Sequence, residues 1–109
     1  MTIEVTTENY EDVLASKNIT LLDFWAAWCG PCKMLVPVVE GLGKEYEGKD
    51  INIGKINVDE CGPLAQSFGI RNVPTVIFLN NKKEELKRFI GYKSKEDISQ
   101  IIDELLSNL

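Results

Sequence analysis

Two cysteines, Cys29 and Cys32, stand three residues apart in a Trp-Cys-Gly-Pro-Cys segment, and they are the residues best suited to do chemistry. A cysteine thiolate is a nucleophile, and two neighbouring thiols can form a disulfide and pass it on by thiol–disulfide exchange. The spacing by itself is a moderate signal, because a structural disulfide or part of a zinc site can show it too. The surrounding sequence has to decide between these interpretations.

The flanking segments predict that Cys29 lies at the start of a helix. Residues 20–26 are a nearly continuous apolar run, which is typical of a strand covered on both faces. After a Gly-Pro turn, apolar residues recur at helical spacing over residues 32–48, and Pro37 is expected to kink that helix. Free N–H groups and the helix dipole favour an anion at such an N-terminus. The position therefore favours the thiolate of Cys29, whereas Cys32 should be more buried and remain a thiol until needed.

The remaining segments predict an α/β fold. Strands are expected at residues 3–5, 20–26, 51–58, 75–79 and 86–90, and helices at residues 7–16, 32–48, 64–68 and 94–109. Thr7 and Ser94 are the expected caps of the first and last helices. Strands that alternate with helices indicate a sheet with helices on both faces. The short turn at residues 80–83 makes its two strands antiparallel, so the sheet should be mixed.

Composition restricts the class of protein. A chain of 109 residues is expected to form a single domain, residues 1–109. The 17 acids outnumber the 12 lysines and arginines, and this balance argues against a nucleic-acid-binding surface. Three cysteines are too few for a secreted disulfide scaffold. No apolar run approaches the roughly 20 residues that span a bilayer, and residues 1–15 lack a signal-peptide pattern. We therefore expect a cytoplasmic protein that does not bind membranes.

Beyond the cysteine pair, several segments make the sequence similar to the thioredoxin family. The matching positions are residues 23–26, 28–33, 37, 55, 69–71, 73–75 and 91, so that the resemblance covers essentially the whole chain. Trp-Cys-Gly-Pro-Cys followed by Val-Pro-Thr is far more specific than a bare Cys-x-x-Cys. The resemblance implies the thioredoxin fold, a central mixed β-sheet flanked by helices on both faces. It also implies a thiol–disulfide oxidoreductase that reduces protein disulfides in cell redox homeostasis and needs no cofactor or metal.

The resemblance implies specific roles for the residues of the redox pair. Cys29 would be the attacking nucleophile, and Cys32 would resolve the mixed disulfide, which leaves a redox-active Cys29–Cys32 disulfide. Gly30 and Pro31 would set the redox potential through the geometry of the turn. A thioredoxin reductase would then reduce the pair again.

Asp23 is the one acid within the apolar run, and the resemblance implies that it is a buried acid behind Cys32 with Lys55 nearby. Desolvation would raise the pKa of this carboxyl. It could then accept the proton of Cys32, directly or through one water. The alternative is a strand acid that points to water.

The resemblance also implies a substrate groove beside the cysteines. Val73 and a cis Pro74 would pair with an extended substrate segment, and Trp28, Gly91 and Tyr92 would border the groove. Binding through backbone hydrogen bonds tolerates many side chains, which suits a general reductant of disulfide-containing proteins. The expected protein is a monomer.

Simpler interpretations remain open for several of these residues. They are core or surface packing for Trp25 and Trp28, a solvent-exposed lysine at Lys55, a trans proline at Pro74 and a bulge at Gly91. Two other functions are also considered. A thiol oxidase or isomerase of the same fold is disfavoured by the Gly-Pro pair between the cysteines. A zinc-binding or scaffolding module is disfavoured because the sequence has three cysteines and no histidine.

The sequence departs from the family pattern at two places. The hairpin turn at residues 80–83 reads Asn-Asn-Lys-Lys where the family often has glycine. Because Asn tolerates positive φ, we expect the hairpin to form with a changed turn type. Cys61 is not part of the family pattern. It falls in a strand-to-helix loop next to acidic residues that should discourage its thiolate, so we expect an inert thiol.

Overall fold

The computed structural model describes residues 2–109, and over that range the chain forms five strands and four helices. The strands are β1 (Thr2–Glu4), β2 (Ile19–Trp25), β3 (Ile51–Asn57), β4 (Thr75–Asn80) and β5 (Glu85–Ile90). The helices are α1 (Tyr10–Ser16), α2 (Gly30–Glu45), α3 (Gly62–Ser67) and α4 (Lys95–Ser107). Met1 lies outside the described residues. None of the helices in this range is both long and apolar enough to cross a membrane.

The strands form one sheet in the order β1-β3-β2-β4-β5. β1 and β2 both run parallel to β3, whereas β4 is antiparallel to β2 and to β5. This confirms the predicted mixed sheet. The strand predicted from the apolar run, β2, is the central one, and its register places Asp23 opposite Lys55 on β3 and Val76 on β4.

Apolar side chains from both faces of the sheet form two separate cores. On one face, Leu21 and its neighbours pack against α2 and α4. On the other face, Leu22 and Phe24 pack against α1 and α3. Because successive side chains of a strand point to opposite faces, Asp23 must point to the face that α2 covers. The predicted arrangement, with helices on both faces, is confirmed.

Two helix starts differ from the sequence prediction. Thr7 does not cap the first helix, because α1 begins only at Tyr10. Residues before it form a turn in which the Thr6 N–H donates to Asn9 Oδ1 (2.7 Å) and the Asn9 N–H donates to Thr6 Oγ1 (3.2 Å). These reciprocal bonds resemble a capping box, so Thr6 rather than Thr7 holds the turn that leads into the helix. α2 begins at Gly30 rather than near Cys32, so the helix includes the whole Gly-Pro turn.

The far ends of the fold also differ in detail. Leu109, expected on the buried face of the last helix, lies beyond α4 and is 64% exposed. The expected hairpin between β4 and β5 forms, and the residue with positive φ in its turn is Lys83 (φ 68°) rather than an Asn. Asn80 instead organises the turn with its side chain, since Oδ1 accepts hydrogen bonds from the N–H groups of Lys82 and Glu84, both at 2.9 Å.

Candidate functional site

Cys29 occupies the N-cap of α2, and Cys32 lies in the first turn of that helix. The Cys32 N–H donates a hydrogen bond to Cys29 Sγ (3.1 Å), so the sulfur caps the helix as a serine oxygen usually does. The two cysteines form a disulfide with their Cα atoms 5.3 Å apart. They are 4% and 2% exposed, so the expected difference in burial between them is small. In the reduced protein, the same N–H and the helix dipole would stabilise a thiolate on Cys29.

The loop before β4 faces this sulfur. Cys29 Sγ lies 3.5 Å from the carbonyl oxygen of Val73. The Val73–Pro74 peptide bond is cis, as the resemblance implied. The Pro74 carbonyl accepts a hydrogen bond from the Gly91 N–H (2.8 Å), and Gly91 has φ 92°, a conformation that favours glycine. The loops that carry Val73, Pro74 and Gly91 are thus tied together beside the redox pair.

Trp28 is exposed and borders a groove. Its side chain is 72% exposed, although the indole N–H donates a hydrogen bond to Asp59 Oδ2 (3.1 Å). Between Trp28 and α3 lies a groove of about 450 Å³, which Val73 and Arg71 also line. Tyr92 is 47% exposed. Asp59 was not expected in the site, and its position just after the third strand was the one available signal.

Asp23 is buried, which confirms the burial expected from its apolar neighbours. It is 3% exposed, and its Oδ1 has no hydrogen-bond partner among residues 2–109. Burial raises the pKa of Asp23 to about 7, and the nearby Lys55 ammonium lowers that value in part. The carboxyl can therefore exchange a proton near neutral pH.

Lys55 lies beside Asp23 in the sheet, and its ammonium is in contact with a residue that sequence analysis did not single out. The Lys55 Nζ is 3.9 Å from Glu40 Oε1 on α2 and 5.9 Å from the centroid of the Trp25 ring. Asp23, Trp25, Glu40 and Lys55 line a cavity of about 50 Å³ between the sheet and α2. Glu40 could have been found from its spacing, since it is eight residues after Cys32 and so lies near the same helix face.

Cys61 lies apart from the redox pair. It is a free cysteine, 5% exposed, at the N-cap of α3. It packs in the core between the sheet, α1 and α3, whereas Cys29 and Cys32 pack with Ala26 in a separate cluster. The burial of Cys61 agrees with an inert thiol, and it adds no ligand to the cysteine pair.

Comparison with known proteins gives a consistent result. The family model described as Thioredoxin matches residues 1–104. A thioredoxin of Buchnera aphidicola is 44% identical over 103 residues, which cover 94% of this chain and 94% of that protein. A thioredoxin of Staphylococcus saprophyticus is 39% identical over 104 residues, covering 95% and 97%. A solved structure of a thioredoxin variant from Halobacterium salinarum superposes with a TM-score of 0.85 at 34% identity, covering 94% of this chain and 88% of that one.

Proposed function

The chain belongs to the thioredoxin family and is a thiol–disulfide oxidoreductase, and we propose that it reduces protein disulfides with the residue roles set out below. One observation supports these roles above all others. Cys29 Sγ caps α2 and lies beside the Val73 carbonyl, while Cys32 is bonded to it from inside the helix. We infer that the substrate reaches Cys29, the sulfur that the helix also stabilises as a thiolate.

The exchange takes two steps. In the reduced protein, the Cys29 thiolate attacks one sulfur of the substrate disulfide, a mixed disulfide forms, and the other substrate sulfur leaves as a thiolate that takes up a proton. Cys32 then attacks Cys29 Sγ, the Cys29–Cys32 disulfide forms, and the second substrate thiol is released. Two electrons pass from the cysteine pair to the substrate. Gly30 and Pro31 set the redox potential of the pair by fixing the turn between the two sulfurs.

Asp23 accepts the proton that Cys32 must lose in the second step. A thiol attacks only as a thiolate, and the ordinary pKa of cysteine is about 8.5. A carboxyl with its pKa raised to about 7 by burial is a far better base for that proton than an exposed aspartate. The cavity of about 50 Å³ that Asp23 lines exceeds the roughly 15 Å³ that one water needs, so a water can lie next to the carboxyl and take up its proton.

The substrate lies in extended conformation across the loops beside Cys29. Val73 and Pro74 offer backbone groups to it. Trp28 borders the groove beside α3, whereas Gly91 and Tyr92 meet the substrate from the loop that is bonded to Pro74. Because backbone pairing does not depend on substrate side chains, many proteins can be substrates.

We also propose a redox partner and a cellular location for the protein. A thioredoxin reductase reduces the Cys29–Cys32 disulfide and so lets the protein take part in electron transport and redox homeostasis. The chain functions as a monomeric single domain in the cytoplasm, without binding nucleic acid or membranes. Its acidic net charge of −5 is in keeping with the absence of a nucleic-acid partner.

A coupled assay tests the proposal. The protein is supplied with insulin as a disulfide substrate and with either an NADPH-dependent flavin reductase or a ferredoxin-dependent reductase. We expect insulin reduction with at least one reductase, loss of it in Cys29→Ser, and unchanged turnover in Cys61→Ser, which is the matched control because Cys61 lies outside the site. Failure with both reductases, or loss of activity in Cys61→Ser alone, would contradict the proposal.

A further inference from the structure

Glu40 has no role in the exchange described so far, yet it faces the buried acid. It lies on the face of α2 that also carries Val36 and Val39, and these three residues line the cavity beside Asp23. The Glu40 side chain is 49% exposed, so it lies between the cavity and the solvent. Its second oxygen accepts a hydrogen bond from the Thr2 hydroxyl on β1 (3.0 Å), which fixes the carboxylate over the sheet.

Lys55 lies between two carboxylates and pairs with the outer one. Asp23 is its direct neighbour in the sheet, but within residues 2–109 the one carboxylate within 4 Å of the Lys55 ammonium is Glu40, at 3.9 Å. The Lys55 Nζ also lies 5.9 Å from the centroid of the Trp25 ring, and this cation–π contact helps to hold the lysine side chain in place. Asp23 Oδ1 consequently has no partner in the described chain.

The charged groups around Asp23 come from different elements. β3 contributes Lys55, and α2 contributes Glu40. The neighbour on β4 is the uncharged Val76. Beyond Lys55, the register of β1 places Glu4 opposite the lysine. Lys55 is therefore the single cation in this row across β1, β3, β2 and β4. The group that binds the Lys55 ammonium sets its distance from Asp23 and so its effect on the pKa of Asp23.

We propose that Glu40 is a positioning residue for the proposed proton acceptor: it holds the Lys55 ammonium away from Asp23, so that the Asp23 carboxyl can hold a proton at neutral pH. The inference rests on the proposed role of Asp23 in the exchange. Glu40 does not touch the reacting sulfurs and acts through Lys55.

The direction of the effect follows from electrostatics. An ammonium close to Asp23 favours the charged carboxylate and lowers its pKa. Without the Glu40 carboxylate, Lys55 is free to turn toward Asp23, and a negative charge near Asp23 is lost as well. Both changes lower the pKa of Asp23. Moving a unit charge from about 7 to about 5 Å in a medium of effective dielectric about 20 lowers a pKa by about 0.5–1.

The test is a titration of the Asp23 carboxyl followed by carbon NMR in the oxidised protein, where Cys29 and Cys32 do not titrate. Glu40→Gln should lower the titration midpoint of Asp23 by about 0.5–1 on the pH scale. Glu45→Gln is the matched control, because Glu45 is on the same helix and loses the same charge but pairs with Lys95 (2.5 Å). That variant should leave the midpoint unchanged. An unchanged midpoint in Glu40→Gln, or an equal shift in both variants, would overturn the proposal.

A second comparison separates action through Lys55 from a direct effect of charge. In a Lys55→Gln background, Glu40→Gln should shift the midpoint by less than half as much, and a full shift there would refute the positioning role. In the reduced protein, the rate at which the mixed disulfide is resolved falls at acidic pH. This fall should begin at a lower pH in Glu40→Gln than in the parent protein. If Asp23→Asn leaves that rate unchanged, the proposed role of Asp23 fails, whereas the titration still decides whether Glu40 positions Lys55.

Discussion

Among the acidic and basic side chains of residues 2–109, Asp23 is the one that is buried, and it has few groups around it to offset the cost. A carboxylate at 3% exposure is costly to ionise, and its neighbours offer Oδ1 no hydrogen bond within the part of the chain that the structure describes. Such a group destabilises the fold whenever it is charged. A buried carboxyl with this cost is expected to serve function rather than stability.

Asp23→Asn should therefore stabilise the protein at high pH. The folded pKa of about 7 lies above the ordinary 3.8, so the native state binds its proton more tightly and stability falls as pH rises between these two values. Well above pH 7 the charged carboxyl costs about 4 kcal/mol, whereas at pH 4 it costs almost nothing. We expect a gain of about 2–4 kcal/mol for the variant at pH 8.5 in urea unfolding, and almost none at pH 4.

The same variant should be slower in the exchange. Single-turnover kinetics should show normal formation of the mixed disulfide with slower resolution, because only the second step needs the Asp23 base. Equal stability of variant and parent at pH 8.5, together with equal rates, would show that Asp23 is neither costly nor a base.

Residue-level features were predictable from the sequence where the chain itself carries the pattern. The burial of Asp23 follows from apolar neighbours on both sides along β2, and the helix-capping position of Cys29 follows from the Gly-Pro turn. Partners distant in sequence were not predictable in this way. Glu40 meets Lys55, and Asp59 meets Trp28, only through the packing of different elements.

At the scale of elements, α2 and α4 both begin with a side chain that accepts a hydrogen bond from the first turn. In α2 this is Cys29, and in α4 it is Ser94, whose Oγ accepts from the Asp97 N–H (3.1 Å). The cap of α4 has no part in the exchange reaction, so its removal shows how much such a hydrogen bond contributes to the stability of the fold alone. α4 covers the same face of the sheet as α2 and contributes Ile98 and Ile102 to that core.

Ser94→Ala should lower the free energy of unfolding by about 1 kcal/mol, because an N–H of the first turn loses its partner. Insulin reduction should not change, since α4 does not reach the cysteines. Ser107→Ala is the matched control, as its hydroxyl donates to the Glu104 carbonyl at the other end of the helix (2.8 Å). Urea unfolding of both variants checks this, and an equal loss in the two would argue against the cap.

Local signals predicted elements well and some boundaries poorly. Ser94 caps α4 as expected because its serine precedes an acidic first turn. Thr7 failed as a cap because Thr6 and Asn9 bond to one another, and the residues between them form a turn. Lys83 rather than an Asn has positive φ in the hairpin, since the Asn80 side chain occupies the turn. Side-chain bonds to neighbouring backbone groups are not visible in a propensity pattern.

For the whole molecule, topology explains why the site forms where the central strands end. β2 and β3 are parallel, and β4 is antiparallel to β2 and to β5. The segments after β2, β3 and β5 therefore meet the segment before β4. These four segments carry Cys29, Asp59, Gly91 and Pro74 respectively. The sequence resemblance implied this meeting point, whereas element patterns alone gave no strand order.

Close packing of the sheet adds a feature that sequence analysis did not foresee. Gly54 lies inside β3, and a Cβ at this position would lie 2.8 Å from Cγ2 of Val5 and 3.4 Å from Cδ2 of Leu22. The glycine thus lets the segment after β1 pack closely on the sheet. Contacts of this kind depend on three segments at once, which is why a strand pattern cannot predict them.

The central claim is that Cys29 attacks and Cys32 resolves, and trapping of the mixed disulfide tests it most directly. Cys61→Ala is introduced into both variants, so that any trapped bond must involve one of the two site cysteines. Incubated with a disulfide-containing protein, Cys32→Ser should accumulate a covalent complex through Cys29 that a reductant releases, because no second thiol is left to resolve it. Cys29→Ser should trap nothing. A complex that forms through Cys32 in Cys29→Ser, with none in Cys32→Ser, would contradict the assignment.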